Sequence, residues 1–323
     1  MNNRFSLAFL IAGSLLTACS GSGGNSAMNQ NPVPFTSFSA VQNGQPVRAN
    51  GVSQTIGVGS TPTTLNIVDT TNSSAQLTYS GIGSSAPVIT QFGFQAPFSN
   101  ANFSNQTLPA TAQIDCVTTP GECGAAVNGN TIGKVINALD PGVAFNYQSF
   151  GYWLVSGSFG SATATAMSFG SPTPAGAVPT TSSATYNGRS GGVYVDPTGL
   201  LFTFSGGMTS TVNFATRSIS FATIATQVSP VSGGTLPALG SLAVSGTLTY
   251  AAGSSQFAGP VTAPGFPTGG GLSGNANGSF YGPAVGPPPG VPPEIGGVFS
   301  LNNTTTLTPT REAIVGGFGG KRP

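Results

Sequence analysis

The chain has 323 residues, room for about two domains, yet only eight are Lys or Arg and seven Asp or Glu. That is 5% charged residues against roughly a quarter in ordinary soluble domains. A net charge of +1 offers nucleic acid no electrostatic grip, and the absence of histidine removes the commonest metal ligand, the commonest general base and every Ser-His-Asp or Cys-His arrangement.

The first predicted element is an address. Residues 1–4 start positive, and residues 5–16 form an apolar run too short to cross a bilayer but as long as a signal-peptide core. Behind it, Leu16-Thr17-Ala18-Cys19 resembles the bacterial lipobox. That resemblance implies a signal peptide over 1–18 and a lipid on Cys19, which anchors the chain to a membrane in place of a transmembrane helix. A plain secretory signal with Cys19 incidental is the other reading. Ser20, rather than Asp, follows the cysteine, and by resemblance to the bacterial sorting rule this implies transfer to the outer membrane. Without Arg4 the mature chain keeps seven positive and seven negative side chains. Residues 19–34 are rich in Ser, Gly and Asn and read as a flexible tether.

Residues 35–143 read as a smaller β-rich domain, with short strands expected at 64–68, 75–79, 88–94 and 130–136. Of the three cysteines, Cys116 and Cys123 remain once Cys19 carries lipid. In an oxidising compartment such a pair closes by default, and the intervening Pro120-Gly121 turns the chain back on itself. The disulfide would stabilise the fold by about 2–3 kcal/mol. A redox pair is the alternative, but the spacing is not Cys-x-x-Cys. Asp140-Pro141-Gly142 marks the expected domain boundary.

Residues 144–323 carry a clearer strand signal. Met208, Val212 and Phe214 alternate with Thr209, Thr211 and Asn213, and after a turn at 215–217 the apolar face resumes at Ile219 and Phe221. Leu242, Val244, Leu248 and Tyr250 alternate with Ala243, Ser245, Thr247 and Thr249 in the same way. Further strands are expected at 150–155, 162–169, 186–195, 200–204, 278–281, 296–301 and 313–318. Strands at this spacing predict an all-β chain: a small β-rich domain followed by a soluble antiparallel barrel of about eight strands. Closure suits a chain nearly devoid of the charged side chains that guard exposed strand edges. A membrane-embedded barrel is the competing architecture. Its lipid face would need an apolar band, whereas the faces opposite the aliphatic residues here are Ser, Thr and Asn.

Three segments in order carry a resemblance: Gly278-Ser279-Phe280-Tyr281-Gly282-Pro283-Ala284, Glu294-Ile295-Gly296-Gly297-Val298-Phe299, and Gly316-Gly317-Phe318-Gly319-Gly320-Lys321-Arg322. They resemble the closing strands of the transferrin-binding protein B β-barrel family of surface lipoproteins. In this pattern Gly282-Pro283 ends a strand, Gly296-Gly297 lets the next one bend, and Gly316, Phe318 and Gly320 share one face of the last. Phe169-Gly170-Ser171-Pro172-Thr173-Pro174 and residues 184–195 resemble the same barrel, and a β-rich handle over 35–143 is implied by position alone. The family's resemblance implies a non-enzymatic surface lipoprotein that binds an extracellular protein or solute for iron or nutrient acquisition, together with an outer-membrane transporter. The proline-rich stretch 285–293 and the presence of a single barrel depart from the family pattern and leave the ligand's identity open. An envelope or adhesion lipoprotein without nutrient capture is the alternative.

The isolated acids, Asp69, Asp115, Glu122, Asp140, Asp196, Glu294 and Glu312, suggest no catalytic constellation, metal site or cofactor, and Asp196-Pro197-Thr198-Gly199 reads as a hairpin turn. Contact with a ligand would then fall to loop aromatics and the few arginines, with Phe266 and Arg189 the individual candidates. Their plainer reading is a Phe266 packed under its own loop and a solvated Arg189.

Overall fold

The computed structural model describes residues 32–58, 65–80, 88–95, 106–107, 114–115, 122–127, 131–136, 138–139, 142–156, 162–231, 242–264, 271–284, 290–303 and 312–323. Residues Asn31–Pro323 form one compact unit. Its first strands are β1 (Val33–Pro34), β2 (Pro46–Val58), β3 (Leu65–Ser80), β4 (Val88–Gln95), β5 (Gln106–Thr107), β6 (Ile114–Asp115), β7 (Glu122–Val127), β8 (Thr131–Ile136), β9 (Gln148–Ser156) and β10 (Ala162–Gly170). These ten make one sheet in the order β5-β4-β3-β2-β10-β9-β8-β7-β6, with β1 beside β2. The remainder are β11 (Ser183–Val195), β12 (Leu201–Asn213), β13 (Ser218–Pro230), β14 (Ser245–Tyr250), β15 (Gln256–Ala263), β16 (Leu272–Tyr281), β17 (Glu294–Asn303) and β18 (Ala313–Lys321). They close into an eight-stranded antiparallel barrel, sealed where β11 meets β18 with Val193 opposite Val315.

The expected all-β architecture with an eight-stranded barrel is therefore present, but the sheet takes more of the chain than the patterning assigns to it. Strands β9 and β10, expected in the barrel, pair with β8 and β2 of the sheet, so the change from sheet to barrel falls between Gly170 and Ser183 rather than at 143. The reason lies in burial. Ala162, Ala164 and Ala166 of β10 face the barrel, whereas Met167 and Phe169 pack with Phe38, Leu77, Tyr79 and Trp153 on the other side. A strand buried on both faces has no wet side, and its composition alone does not say which sheet it joins.

The barrel interior is filled. Phe202, Phe204, Phe221, Phe257, Phe280, Phe299 and Phe318 belong to one buried cluster that also takes in Met208, Leu248 and Ile314. The Phe221 and Phe318 rings lie 4.5 Å apart, and Phe257 meets Phe280 edge-on at 5.5 Å. The outward wall exposes Thr185, Thr211, Ser220, Thr247, Thr249, Gln256 and Thr262. This is apolar inside and hydroxyl-rich outside, the inverse of a barrel built to face lipid. No described helix is long and apolar enough to cross a membrane.

Turn chemistry follows the sequence closely. Asn213 Oδ1 accepts hydrogen bonds from the Ala215 and Thr216 amides, both 3.1 Å, across the β12–β13 hairpin. Asp196 Oδ1 accepts from Thr198 N at 2.8 Å, Thr198 Oγ1 at 2.7 Å and Leu200 N at 2.8 Å, and Gly199 supplies the φ of 91° that completes this turn.

Candidate functional site

The sheet meets the barrel along β2, β9 and β10 on one side and β11, β17 and β18 on the other. Val52, Ile56, Tyr152 and Leu154 pack there against Val193, Val195, Val298, Ala313 and Val315. Toward the end where the chain crosses from sheet to barrel, this aliphatic contact gives way to a polar one. Glu294, the first residue of β17, turns its buried carboxylate toward the start of β9. Its Oε1 accepts from the Asn146 amide at 2.6 Å, and its Oε2 accepts from Tyr147 N at 2.9 Å and Gln148 N at 3.0 Å. Burial pushes the carboxyl up to about 7; the three amides and the nearby Lys321 ammonium pull the other way without overcoming it. This acid therefore clamps barrel to sheet, and it does so at the first position of the E-x-G-G-x-F segment.

The glycines of the closing segments divide by face. Gly296, Gly317 and Gly319 point outward and receive the sheet: a Cβ on Gly296 would stand 2.6 Å from Gln148 Oε1, one on Gly317 2.8 Å from Phe150 Cδ2, and one on Gly319 would collide with the Gln148 amide. Gly278, Gly297 and Gly316 point inward, where a Cβ would meet Phe257, Phe318, and both Phe204 and Phe299. At Gly296-Gly297, where the sequence leads one to expect a bend, the two glycines make close approaches on opposite faces. Gly282 does end β16, with φ 81°, and Pro283 follows it into the loop. Phe280 and Phe299 are core residues, as is Phe318, which shares the interior face with Gly316 and Gly320. Tyr281 turns the other way: its hydroxyl hydrogen-bonds Ser168 of β10 at 3.1 Å, and burial pushes it up to about 12.

Among the described residues no three of His, Cys, Asp and Glu come together as a metal site. The three acids of the barrel serve the fold. Asp196 caps its turn, Glu294 clamps the joint, and Glu312 accepts a 2.9 Å hydrogen bond from the buried Tyr194 hydroxyl. Burial, then the neighbouring Glu312 carboxylate, raises the Tyr194 hydroxyl above the usual phenol range. One small cavity opens beside the joint, lined by Lys134, Ile136, Phe150, Tyr152 and Gly191.

Of the candidate contact residues, Arg189 lies in the middle of β11, between Gly207 and Gly319, half-buried and engaged in an interaction of its own rather than on a loop. Phe266, Cys19 and Cys116 lie outside the described residues. Cys123 sits on β7, opposite Val135, with its side chain outside the described set. Sequence reasoning missed Glu294 as the clamp and Gln148 as the side chain that the outward glycines accommodate. A carboxylate opening a strand otherwise made of glycines and aliphatics was the available signal for the former; Gln148 gave none.

The chain matches no protein-family model and no curated protein. Among solved structures it is similar to a mutant of the vaccine antigen transferrin-binding protein B from Haemophilus parasuis Hp5, at 14% identity and a TM-score of 0.42, over 78% of this chain and 51% of that one. It is also similar to the isotype 1 transferrin-binding protein B of serogroup B Neisseria meningitidis, at 16% identity and a TM-score of 0.39, over 79% and 52%. Intact Ap-TbpB, with its N and C lobes, gives 15% identity and a TM-score of 0.38 over 77% and 52%. The chain spans about half the length of each of these proteins.

Proposed function

We propose that this chain is a lipid-anchored outer-membrane protein, exposed at the cell surface, that binds an extracellular protein or solute without covalent chemistry and so serves iron or nutrient acquisition beside a membrane transporter. The observation that carries this reading is the filled barrel. Its aromatic core occupies the volume in which a hollow barrel would hold a small ligand, so recognition falls to loops and outer surfaces held rigid by the scaffold. A partner gripped in that way is a macromolecule or a large solute. In this reading residues 1–18 are removed, Cys19 carries the lipid, Cys116 and Cys123 are bridged, and a handle and a barrel divide the remainder of the chain.

Three measurements on growing bacteria test the proposal. Labelled palmitate should enter the wild-type protein and not Cys19→Ala, and protease added to intact cells should release the body of the protein. A protein that takes up no label, or that stays protected in intact cells while being cut in lysed ones, contradicts the anchor or the surface placement respectively. Deletion should then slow growth when iron is scarce; unchanged growth there favours an envelope or adhesion role.

A further inference from the structure

Charge is scarce in this chain, yet four of its described cations gather at one end, while Lys134 and Arg189 lie within β8 and β11 and Glu122 opens β7 opposite Ile136, toward that same end. The chain passes from sheet to barrel at the end marked by Pro172, which bridges to Tyr281, and by Ser171, whose carbonyl accepts the Gly282 amide. At this same end lie Arg217 in the β12–β13 turn and Lys321 and Arg322 after β18, with Arg322 N donating to Pro293 O. Arg48 belongs here too, because β2 pairs Asn50 with Gly170 and Arg48 lies beyond that pair. Arg48, Arg217 and Arg322 are exposed, and Lys321 is half-buried. The one described acid of the barrel at this end is Glu294, buried in the joint. The other two described acids of the barrel, Asp196 and Glu312, flank the opposite end, where Val195 pairs with Ala313.

The described chain also begins at the basic end. Val33 pairs with Val47, and the Phe35 amide donates to Arg48 O at 2.8 Å. Twelve residues separate Cys19 from Pro32, a reach of roughly 45 Å at most. We infer that this end, through Arg48, Arg217, Lys321 and Arg322, docks on the anionic phospholipid headgroups of the membrane that carries the chain. The contact rests on the anchored reading for its setting, but its charges act without the lipid. It orients the protein: the linker end faces the bilayer, and the hairpins at the Asp196 end point away from it. Clustered cations near an anionic leaflet are a recognised second membrane signal beside a lipid chain.

The test uses residues 31–323, which pack as one unit with cores of their own. The fragment is sedimented with vesicles of phosphatidylcholine alone and of phosphatidylcholine mixed equally with phosphatidylglycerol. Binding to the mixed vesicles only, lost at high salt, is expected. Arg48→Gln, Arg217→Gln and Arg322→Gln together should weaken partition by roughly a hundredfold, about fivefold per charge. A variant of equal net charge, Gln227→Glu with Ser245→Glu and Thr262→Glu, alters exposed positions toward the other end and should change partition less than twofold, because that end is screened from the surface. Both variants must keep the wild-type circular dichroism and melting temperature. No binding to the mixed vesicles, equal binding to both vesicle types, or an equal loss in the two variants overturns the inference. A palmitate-labelled chain whose fragment ignores the mixed vesicles defeats this inference alone, and an unlabelled chain whose fragment binds them defeats the anchor alone.

Discussion

Gly319 of the last barrel strand is bare because Gln148 of the sheet occupies the place its side chain would take. The Gln148 amide is fully buried, and neither its Nε2 nor its Oε1 has a hydrogen-bond partner among the described residues. It is held by shape. Gly319→Ala should therefore destabilise the protein by about 1–3 kcal/mol through overpacking. Pairing it with Gln148→Ala should recover part of that loss, since the second change vacates the space. Urea unfolding of the two single variants and the double reads the coupling directly; strictly additive effects would mean that the two residues do not share the site.

The Glu294 clamp makes stability depend on pH. Its carboxyl sits at about 7 in the fold against an ordinary value of 4.5, so the folded chain holds a proton that the unfolded chain has released. The associated stability is fully present below about pH 4.5 and is lost as pH rises through about 7, amounting to roughly 3 kcal/mol across that window. Glu294→Gln cannot titrate, and it should flatten this part of the profile while lowering stability overall, because a side-chain amide cannot accept from all three backbone amides. A wild-type profile as flat as that of the variant would remove the carboxylate from the account.

Phe318 stands near the centre of the barrel core, with Phe221 at 4.5 Å, Phe299 at 6.4 Å and Phe257 at 6.5 Å. Phe318→Ala should cost about 3–5 kcal/mol and leave an apolar hole. Thermal melting should show the loss, and a small aromatic solute such as benzene should return part of it by filling the space. Indifference of the variant to benzene would indicate that the barrel collapses around the vacancy.

If Cys116 and Cys123 are bridged, the exported protein should show no maleimide-reactive thiol when denatured without reductant, and two after reduction. Cys123→Ala should then cost about 2–3 kcal/mol. Two reactive thiols in the unreduced, denatured protein would rule the bridge out.

Much of the barrel is written in the chain. Alternation at Met208, Val212, Phe214, Ile219 and Phe221 specifies the β12–β13 hairpin, and the turns expected at 215–217 and at Asp196-Pro197-Thr198-Gly199 appear, because each of these signals depends only on neighbours in sequence. The signal fails wherever a second layer acts. Strand β2 and strand β15 escape notice because Thr, Ser, Gly, Gln and Pro interrupt their alternation, and the runs at 64–68 and 75–79 prove to be parts of the single strand β3. Strand β10 is read correctly as a strand and placed in the wrong sheet, since both its faces are dry. Residues Gly296, Gly317 and Gly319 look alike in sequence to Gly297 and Gly316, yet one group makes room for the sheet and the other for the core. Local pattern thus determines which segments extend and where they turn, while only tertiary packing decides which partner each face meets, because a partner more than a hundred residues away leaves no periodic trace in the strand that receives it.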